Sequence, residues 1–357
     1  MLLSLLLVAT ALPRAASPDE GSAELSCDDA ATPESASACA AAAVILPGSR
    51  KPLHAPFETP DPFLMAVYHK DAYPAGDGLM QAPRRGNGAD FSGQGGYSMY
   101  HGDRVPGFPQ HPHRGFETIT ATLQGYIDHT DSQGWSGRYG EGDLQWMTAG
   151  RGVVHGEMFP LIHTDRPNPT RFFQIWLNLP PESKMAEPAF VMHWASEIPT
   201  LSIPSTAAHG SSSSSSSNAS AIVWAGPLLG ATPLGPPPDS WAARPENAVA
   251  VWFVSLPAGS SLTLPPVNIS NEEARRINRA LYLLEGDELS VGGETLTGRT
   301  TCRLDPTKSA LLRGPAAAGA PPAEALVLQG RPIGAPVAQR GPFVMNTQAE
   351  IQQAYGA

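Results

Sequence analysis

The sequence has 357 residues, which is enough for two domains of ordinary size, each with its own hydrophobic core. Its formal net charge of -10 at pH 7 argues against a protein that coats nucleic acid, because binding to phosphates requires a basic surface. The 37 prolines and 35 glycines favour a β-rich fold with many turns. We therefore expect an all-β protein that does not bind nucleic acid directly.

The first 60 residues differ in composition from the rest. Residues 1–16 contain an apolar run of signal-peptide length followed by small residues, although no lysine or arginine precedes it. The run is too short to span a bilayer as an ordinary helix. These features favour a secreted or organelle-targeted protein over a cytoplasmic or nuclear one. Residues 17–60 are rich in Ala, Ser, Asp, Glu and Pro and predict a disordered leader.

The three cysteines do not form a disulfide framework or a metal-binding motif. Cys27 and Cys39 both lie in the leader, and Cys302 stands far away from them. A Cys27–Cys39 bridge would suit a protein that leaves the cytosol, and free thiols are the alternative.

From residue 61 the sequence consists of short β-type runs broken by Gly, Pro and Asp. In the clearest run, Phe173, Ile175 and Leu177 alternate with other residues, and a period of two indicates a strand. Further strands are predicted at residues 116–123, 143–147, 248–256, 280–284 and 324–328, and a short helix at residues 347–355.

A run of serines at residues 211–217 divides this region, because serine tracts are flexible and cannot build a core. We predict an N-terminal domain at residues 61–200, a serine-rich linker at 201–220 and a C-terminal domain at 221–357. Residues 121–125 weakly resemble residues 282–286, since each segment is an apolar strand that ends in a polar residue and glycine. This repeat favours two copies of one β-barrel unit.

Two pairs of metal-competent side chains stand out in the first half. His111 and His113, and likewise His155 and Glu157, are two residues apart, and in an extended backbone such residues point to the same face. Two neighbouring strands could thus supply three imidazoles and one carboxylate, a set that suits a first-row metal such as non-haem ferrous iron. One isolated pair would more often be surface or packing, but both together favour a metal site. Only His209 lies beyond residue 200, so we expect no such site in the second barrel.

The blocks HPHRGFETIT (111–120), GDLQWMTAGRGVVHGEM (142–158) and GPFVMNT (341–347) resemble the pirin family of the cupin superfamily. The resemblance covers residues 60 to 355 and implies two cupin-type (jelly-roll) β-barrels in tandem, with a short C-terminal helix. It also implies one iron ion (Fe²⁺) per chain, bound by His111, His113, His155 and Glu157. Nickel, manganese and copper tolerate the same ligands. Glu117 matches a carboxylate that other cupins use as a ligand, but the pirin pattern gives it a supporting or structural role.

The resemblance implies an enzyme or one of two kinds of non-enzymatic regulator. Some pirins resemble quercetin 2,3-dioxygenases, which open the central ring of a flavonol with O₂; Glu157 would then be both a ligand and the base for the flavonol hydroxyl proton. Others resemble non-enzymatic, redox-sensing co-regulators in which iron alters a surface that binds a transcription factor, and a regulator of a metabolic enzyme is a third alternative. Phe116, Trp146 and Phe172 would either line the cavity or pack the barrel, with packing favoured. We expect a monomer without a membrane span.

Overall fold

The computed structural model describes residues 44–85, 89–204 and 218–356, and strands dominate these ranges. None of the helices in the described ranges has the length and apolar character needed to cross a membrane. In the first half the strands are β1 (Lys51–Pro52), β2 (Phe63–Tyr73), β3 (Gly107–His113), β4 (Phe116–Gln124), β5 (Tyr126–Asp131), β6 (Ser136–Gly140), β7 (Leu144–Thr148), β8 (Val153–Met158), β9 (Asn168–Asn178) and β10 (Ala189–His193). In the second half they are β11 (Thr200–Ile203), β12 (Ala219–Ala225), β13 (Ala250–Leu256), β14 (Ser261–Leu264), β15 (Asn278–Glu285), β16 (Glu288–Val291), β17 (Glu294–Thr297), β18 (Thr300–Arg303), β19 (Ala310–Arg313), β20 (Ala323–Gly330), β21 (Ala338–Arg340) and β22 (Phe343–Met345), with helices α1 (Asn271–Ala274) and α2 (Gln348–Gly356).

Two antiparallel sheets form the first barrel. One has the strand order β10-β7-β4-β9-β2 and the other the order β3-β8-β5-β6. Because successive side chains on a strand point to opposite faces, β9 sends Phe172 and Gln174 into this barrel and Phe173 and Ile175 outward. The strand predicted from the alternation of Phe173, Ile175 and Leu177 is confirmed as β9, with both of its faces buried.

The second barrel repeats this architecture with a larger sheet. Seven strands follow the order β1-β18-β15-β20-β13-β12-β11, and four follow the order β14-β19-β16-β17. Its interior is aliphatic, with Val254, Leu281, Leu283 and Val327 all fully buried in one cluster. Two tandem barrels of the cupin type with a short C-terminal helix are therefore confirmed.

The barrels pack against each other through their larger sheets. The outward residues of β9 meet an aromatic group on the second barrel, with the Phe173 ring centroid 5.7 Å from that of Trp224 and 5.8 Å from that of Phe253. Tyr282 is fully buried in the same cluster. A shared apolar core of this kind makes the two barrels one packed unit.

The structure corrects two predicted boundaries. The predicted linker at residues 201–220 is wrong at both ends, because β11 pairs with β12 and both belong to the seven-stranded sheet. The described part of the predicted leader, residues 44–60, is not disordered. Val44 and Ile45 are buried in the second barrel, and Lys51 pairs with Thr301. Apolar burial and strand pairing here outweigh the low-complexity composition of the preceding residues. Residues 1–43, which contain Cys27 and Cys39, lie outside the described residues, as does the serine run.

The C-terminal segment crosses back to the first barrel. The β21–β22 hairpin brings Phe343 beside Arg114, and Val344 packs in a cluster with Phe116 and Trp176. Gly115 allows this close approach, because a Cβ atom there would lie 2.0 Å from the Val344 carbonyl oxygen. Residues 338–356 therefore complete the first barrel, although the sequence assigned them to the second.

Candidate metal centre

The pairing of β3 with β8 brings the predicted ligands together. His111 lies opposite His155 in this antiparallel ladder, and His113 and Glu157 each lie two residues further along their strands. One ring nitrogen from each of the three histidines lies within 4.8 Å of the others, and Nε2 of His111 is 3.0 Å from Nε2 of His155. Two imidazoles that bind one metal ion at neighbouring positions have their nitrogens about 3 Å apart, so this spacing suits a single ion.

The three rings are held in the neutral form that a metal requires. His113 and His155 are buried, and His111 is half-buried. Burial, followed by the neighbouring His111, holds the pKa of His113 well below its usual range. Burial also lowers the pKa of His111 and His155, and His113 adds to this effect at His155. Each ring therefore keeps a lone pair at neutral pH.

Hydrogen bonding also fits a bound ion. Nδ1 of His111 donates to the Pro109 carbonyl at 2.8 Å, which leaves its Nε2 free to face the centre. Both ring nitrogens of His113 and Nδ1 of His155 are buried without a hydrogen-bond partner among the described residues; the Pro342 carbonyl is near His113 but lacks hydrogen-bond geometry. Because unpartnered buried nitrogens are costly, the donor set has the chemistry of a site that holds a metal.

Glu157 stands at the edge of this cluster. Its carboxylate is 2% exposed, and Oε2 is 4.0 Å from Nε2 of His155. Gln174 donates to Oε2 at 2.7 Å and Thr120 donates to Oε1 at 3.2 Å. These bonds orient the carboxylate and leave a lone pair free on each oxygen. A small shift of the carboxylate would bring one of these oxygens to an ion bound beside the imidazoles. The structure brings the three histidines together and places Glu157 next to them; their role as ligands stays a prediction.

Sequence reasoning missed several side chains around the centre. His129 lies opposite Glu157 on β5 and is 5.4 Å from the His155 ring, while its Nε2 bonds Asp131 at 2.9 Å. The triplet His129-Thr130-Asp131 has the same two-residue spacing as the predicted pairs, and this signal could have found it. Gln174 had no such signal, since its position depends on pairing between distant strands.

The four remaining predicted residues lie at different distances from the centre. The ring of Phe116 packs on His113 with centroids 5.0 Å apart, and Phe172 stacks on His69 at 4.4 Å. Trp146 lies on the opposite face of its sheet, in the core between the barrels, so it packs and does not line the centre. Glu117 faces the same side, where it accepts hydrogen bonds from Thr148 and Ser240, both at 2.6 Å. Its role is structural.

Two cupin barrels, of which the first gathers three histidines at one point, define a bicupin with a candidate metal centre in its first barrel. The comparisons with known proteins agree with this class. The pirin family profile matches residues 60–177, and that of the pirin C-terminal cupin domain matches residues 255–357. A pirin-like protein of Caulobacter vibrioides is 36% identical over 257 residues, spanning 71% of this chain and 79% of the relative. A pirin-like protein of Solanum lycopersicum is 32% identical over 256 residues, spanning 70% and 74%.

Among solved structures, a quercetin 2,3-dioxygenase from Acinetobacter baumannii matches with a TM-score of 0.61 and 28% sequence identity, covering 83% of this chain and 84% of that one. The chain belongs to the pirin family. The resemblance carried by the three sequence blocks is thereby confirmed.

Proposed function

We propose that this pirin binds one iron ion through His111, His113, His155 and Glu157 and opens a flavonol ring with O₂, as a quercetin 2,3-dioxygenase does. The observation that carries the proposal is the convergence of three neutral imidazoles, two of them buried, beside an oriented carboxylate. The Acinetobacter structure, named for that activity, supports the reaction class through its matching fold.

When bound, iron would supply a Lewis-acidic centre with open coordination positions and a redox couple suited to O₂. The protein's own residues would hold and move the proton. Glu157 would take the proton of the flavonol 3-hydroxyl group, while Gln174 and Thr120 keep its oxygens in place. The resulting flavonol anion reacts with O₂, both oxygen atoms of which enter the ring-opened product, and one carbon leaves as CO.

Burial limits where a substrate can approach. His113, His155 and Glu157 are at most 3% exposed, whereas His111 is half-buried. We infer that the flavonol enters from the side of His111. Exclusion of water by the other three residues would protect the anion from protonation before O₂ adds.

The test combines metal analysis with product analysis. The wild-type protein should hold about one iron per chain, and anaerobic loading with quercetin followed by O₂ should release CO in a one-to-one yield. His113→Ala should lose the metal, and Glu157→Gln should lose iron and CO release. The exposed His54 provides a matched control, because His54→Ala should retain both.

Full iron loading in both site variants would overturn the metal site. An iron-loaded wild-type protein that releases no CO would overturn the dioxygenase and support the non-enzymatic co-regulator, whose transcription-factor or enzyme partner could then be sought. The targeting role of residues 1–16 and the monomeric state remain predictions, which cell fractionation and solution mass of the full chain would test.

A further inference from the structure

Residues of the second barrel, together with Trp146 of the first, line a cavity. Its volume is about 620 Å³, and its apolar wall includes Leu228, Trp252, Val267 and Ile269. A cavity of this size accommodates a small organic molecule. The described residues that line it include two arginines and no acidic side chain.

Arg279 is the unusual residue in this wall. It points to the interior side of β15, as do Leu281 and Leu283, and is only 1% exposed. Arginine is almost never buried to this degree without a charged partner. Among the described residues no carboxylate lies within ion-pair distance of Arg279. Asp305 is the acidic group whose charge acts on the pKa of Arg279, but its carboxylate accepts hydrogen bonds from Thr307.

Only part of the Arg279 guanidinium is used by the protein. Nε donates to Oε1 of Gln329 at 2.7 Å, and Gln329 is itself fixed because its Nε2 donates to the Ala248 carbonyl at 2.9 Å. Nη1 is buried and has no hydrogen-bond partner in the described part of the chain. Burial lowers the pKa of Arg279 to about 10, so the group remains cationic at neutral pH. A positioned cation with unused donors at a cavity wall has the features of an anion site.

The second arginine does not share this role. Arg244 is exposed to about half its side-chain surface and is paired with Glu182 at 3.3 Å. Arg279 therefore supplies the one guanidinium without an ion pair among the described residues that line the cavity, which matches the single charge and two oxygens of a carboxylate. A phosphate would bring further charged oxygens into an apolar wall that has few donors for them.

We propose that the second barrel is a binding site for a small organic carboxylate with an apolar body, held by Arg279 and separate from the metal centre. The carboxylate would take the free N–H groups of Arg279, and its apolar body would contact Trp252, Val267 and Ile269. Gln329 would act as a positioning residue, since it holds the guanidinium in place.

The test uses the iron-loaded protein with benzoate and phenylacetate as probes, benzamide as the neutral isostere of benzoate, and inorganic phosphate. Calorimetry should show saturable binding of a carboxylate at least about tenfold tighter than benzamide, the factor expected for a charge-assisted hydrogen bond, and weaker binding of phosphate. Equal affinities for benzoate and benzamide, or no binding of either carboxylate, would overturn the proposal. This comparison needs no variant, so it decides the question even if a variant fails to fold.

Variants then locate the site. Arg279→Met should abolish carboxylate binding while keeping CO release and iron content. It should also unfold at the same or a higher temperature than wild type without ligand, because an unpaired buried charge is removed. Arg303→Met is the matched control, because Arg303 lies on the adjacent strand β18 and does not line the cavity. If benzoate binding survives in Arg279→Met but is lost in His113→Ala, the carboxylate binds at the first barrel and the proposal is wrong.

Discussion

Glu117 and Thr120 lie on the same strand, β4, but face different surroundings. Thr120 points to the metal centre, where its hydroxyl donates to Glu157. Glu117 points to the interface between the barrels, where it accepts hydrogen bonds from Thr148 and Ser240. An odd separation along a strand places two side chains on opposite faces, and this parity excludes Glu117 from the centre.

The burial of Glu117 predicts a measurable dependence of stability on pH. Burial raises its pKa to about 7, above the value of 4.5 expected in an unfolded chain. The folded state then holds a proton that the unfolded chain releases, so the stabilisation from this group is full below pH 4.5 and is lost as the pH rises through 7. We expect the stability of the wild type relative to Glu117→Gln to fall by about 3 kcal/mol over this range.

Denaturant unfolding at a series of pH values from 4.5 to 8 would measure this difference. Glu187→Gln serves as the control, because that side chain is 72% exposed and should leave the profile unchanged. Parallel profiles for the wild type and Glu117→Gln would contradict the expected protonation of Glu117.

Much of the candidate centre could be predicted from local spacing. His111 with His113 and His155 with Glu157 are pairs at the strand period, so each pair must share a face if its segment is extended. The residues that orient Glu157 could not be predicted in this way. Gln174 and Thr120 come from strands far apart in sequence, and their contacts depend on sheet order and register, which no short pattern encodes.

At the level of elements, the β21–β22 hairpin is anchored by one buried lysine. Lys184 is 2% exposed, and its ammonium donates to the carbonyls of Gly115 at 2.7 Å and Val344 at 3.0 Å and to Oδ1 of Asn178. These bonds join the C-terminal segment to the turn that follows the His113 strand. They offset only part of the cost of burying the ammonium, since burial still lowers the pKa of Lys184 to about 7.

Replacement of this lysine should release the segment. Lys184→Met leaves three buried oxygens without a donor, and we expect a loss of about 3 kcal/mol in the free energy of unfolding. Limited trypsin digestion should then cut faster after Arg340, within β21. In contrast, Lys51→Met removes an exposed ion pair with Glu58 and should change neither quantity. An unchanged cleavage rate in Lys184→Met would show that the hairpin is held by its other contacts.

The errors in the predicted boundaries also arise at this level. Strands β11 and β12 flank the serine run. The composition of residues 201–220 is dominated by that run, so it does not indicate the short strands at the two ends. Val44, Ile45 and the two-residue strand β1 fall within the predicted leader because segments this short have no periodicity to detect. Both segments are ordered by long-range pairing, which composition does not report.

For the whole molecule, the aromatic interface between the barrels should make the two barrels unfold together. Phe173 is fully buried there and packs on Tyr68, Trp224 and Phe253. Since each barrel covers an apolar face of the other, we expect one cooperative thermal transition for the pair. Phe173→Ala should lower the free energy of unfolding by about 3–5 kcal/mol while the transition remains single.

Scanning calorimetry with and without iron distinguishes the alternatives. If the barrels are coupled, the proposed iron should raise the temperature of the whole transition, because it would bind only the folded protein. Phe91→Ala, at a ring that is 59% exposed, should have little effect. Two separated transitions, of which only one responds to iron, would show that the barrels unfold independently.

The return of residues 343–345 to the first barrel has a consequence for biosynthesis. A ribosome extends the chain from its N-terminus at about 5–20 residues per second, so these residues are added on the order of ten seconds or more after Arg114, their neighbour in the fold. Throughout that interval Phe116, whose ring packs on His113, lacks its contact with Val344. If the centre binds iron as proposed, insertion of the ion into a finished centre would therefore follow the synthesis of the second barrel.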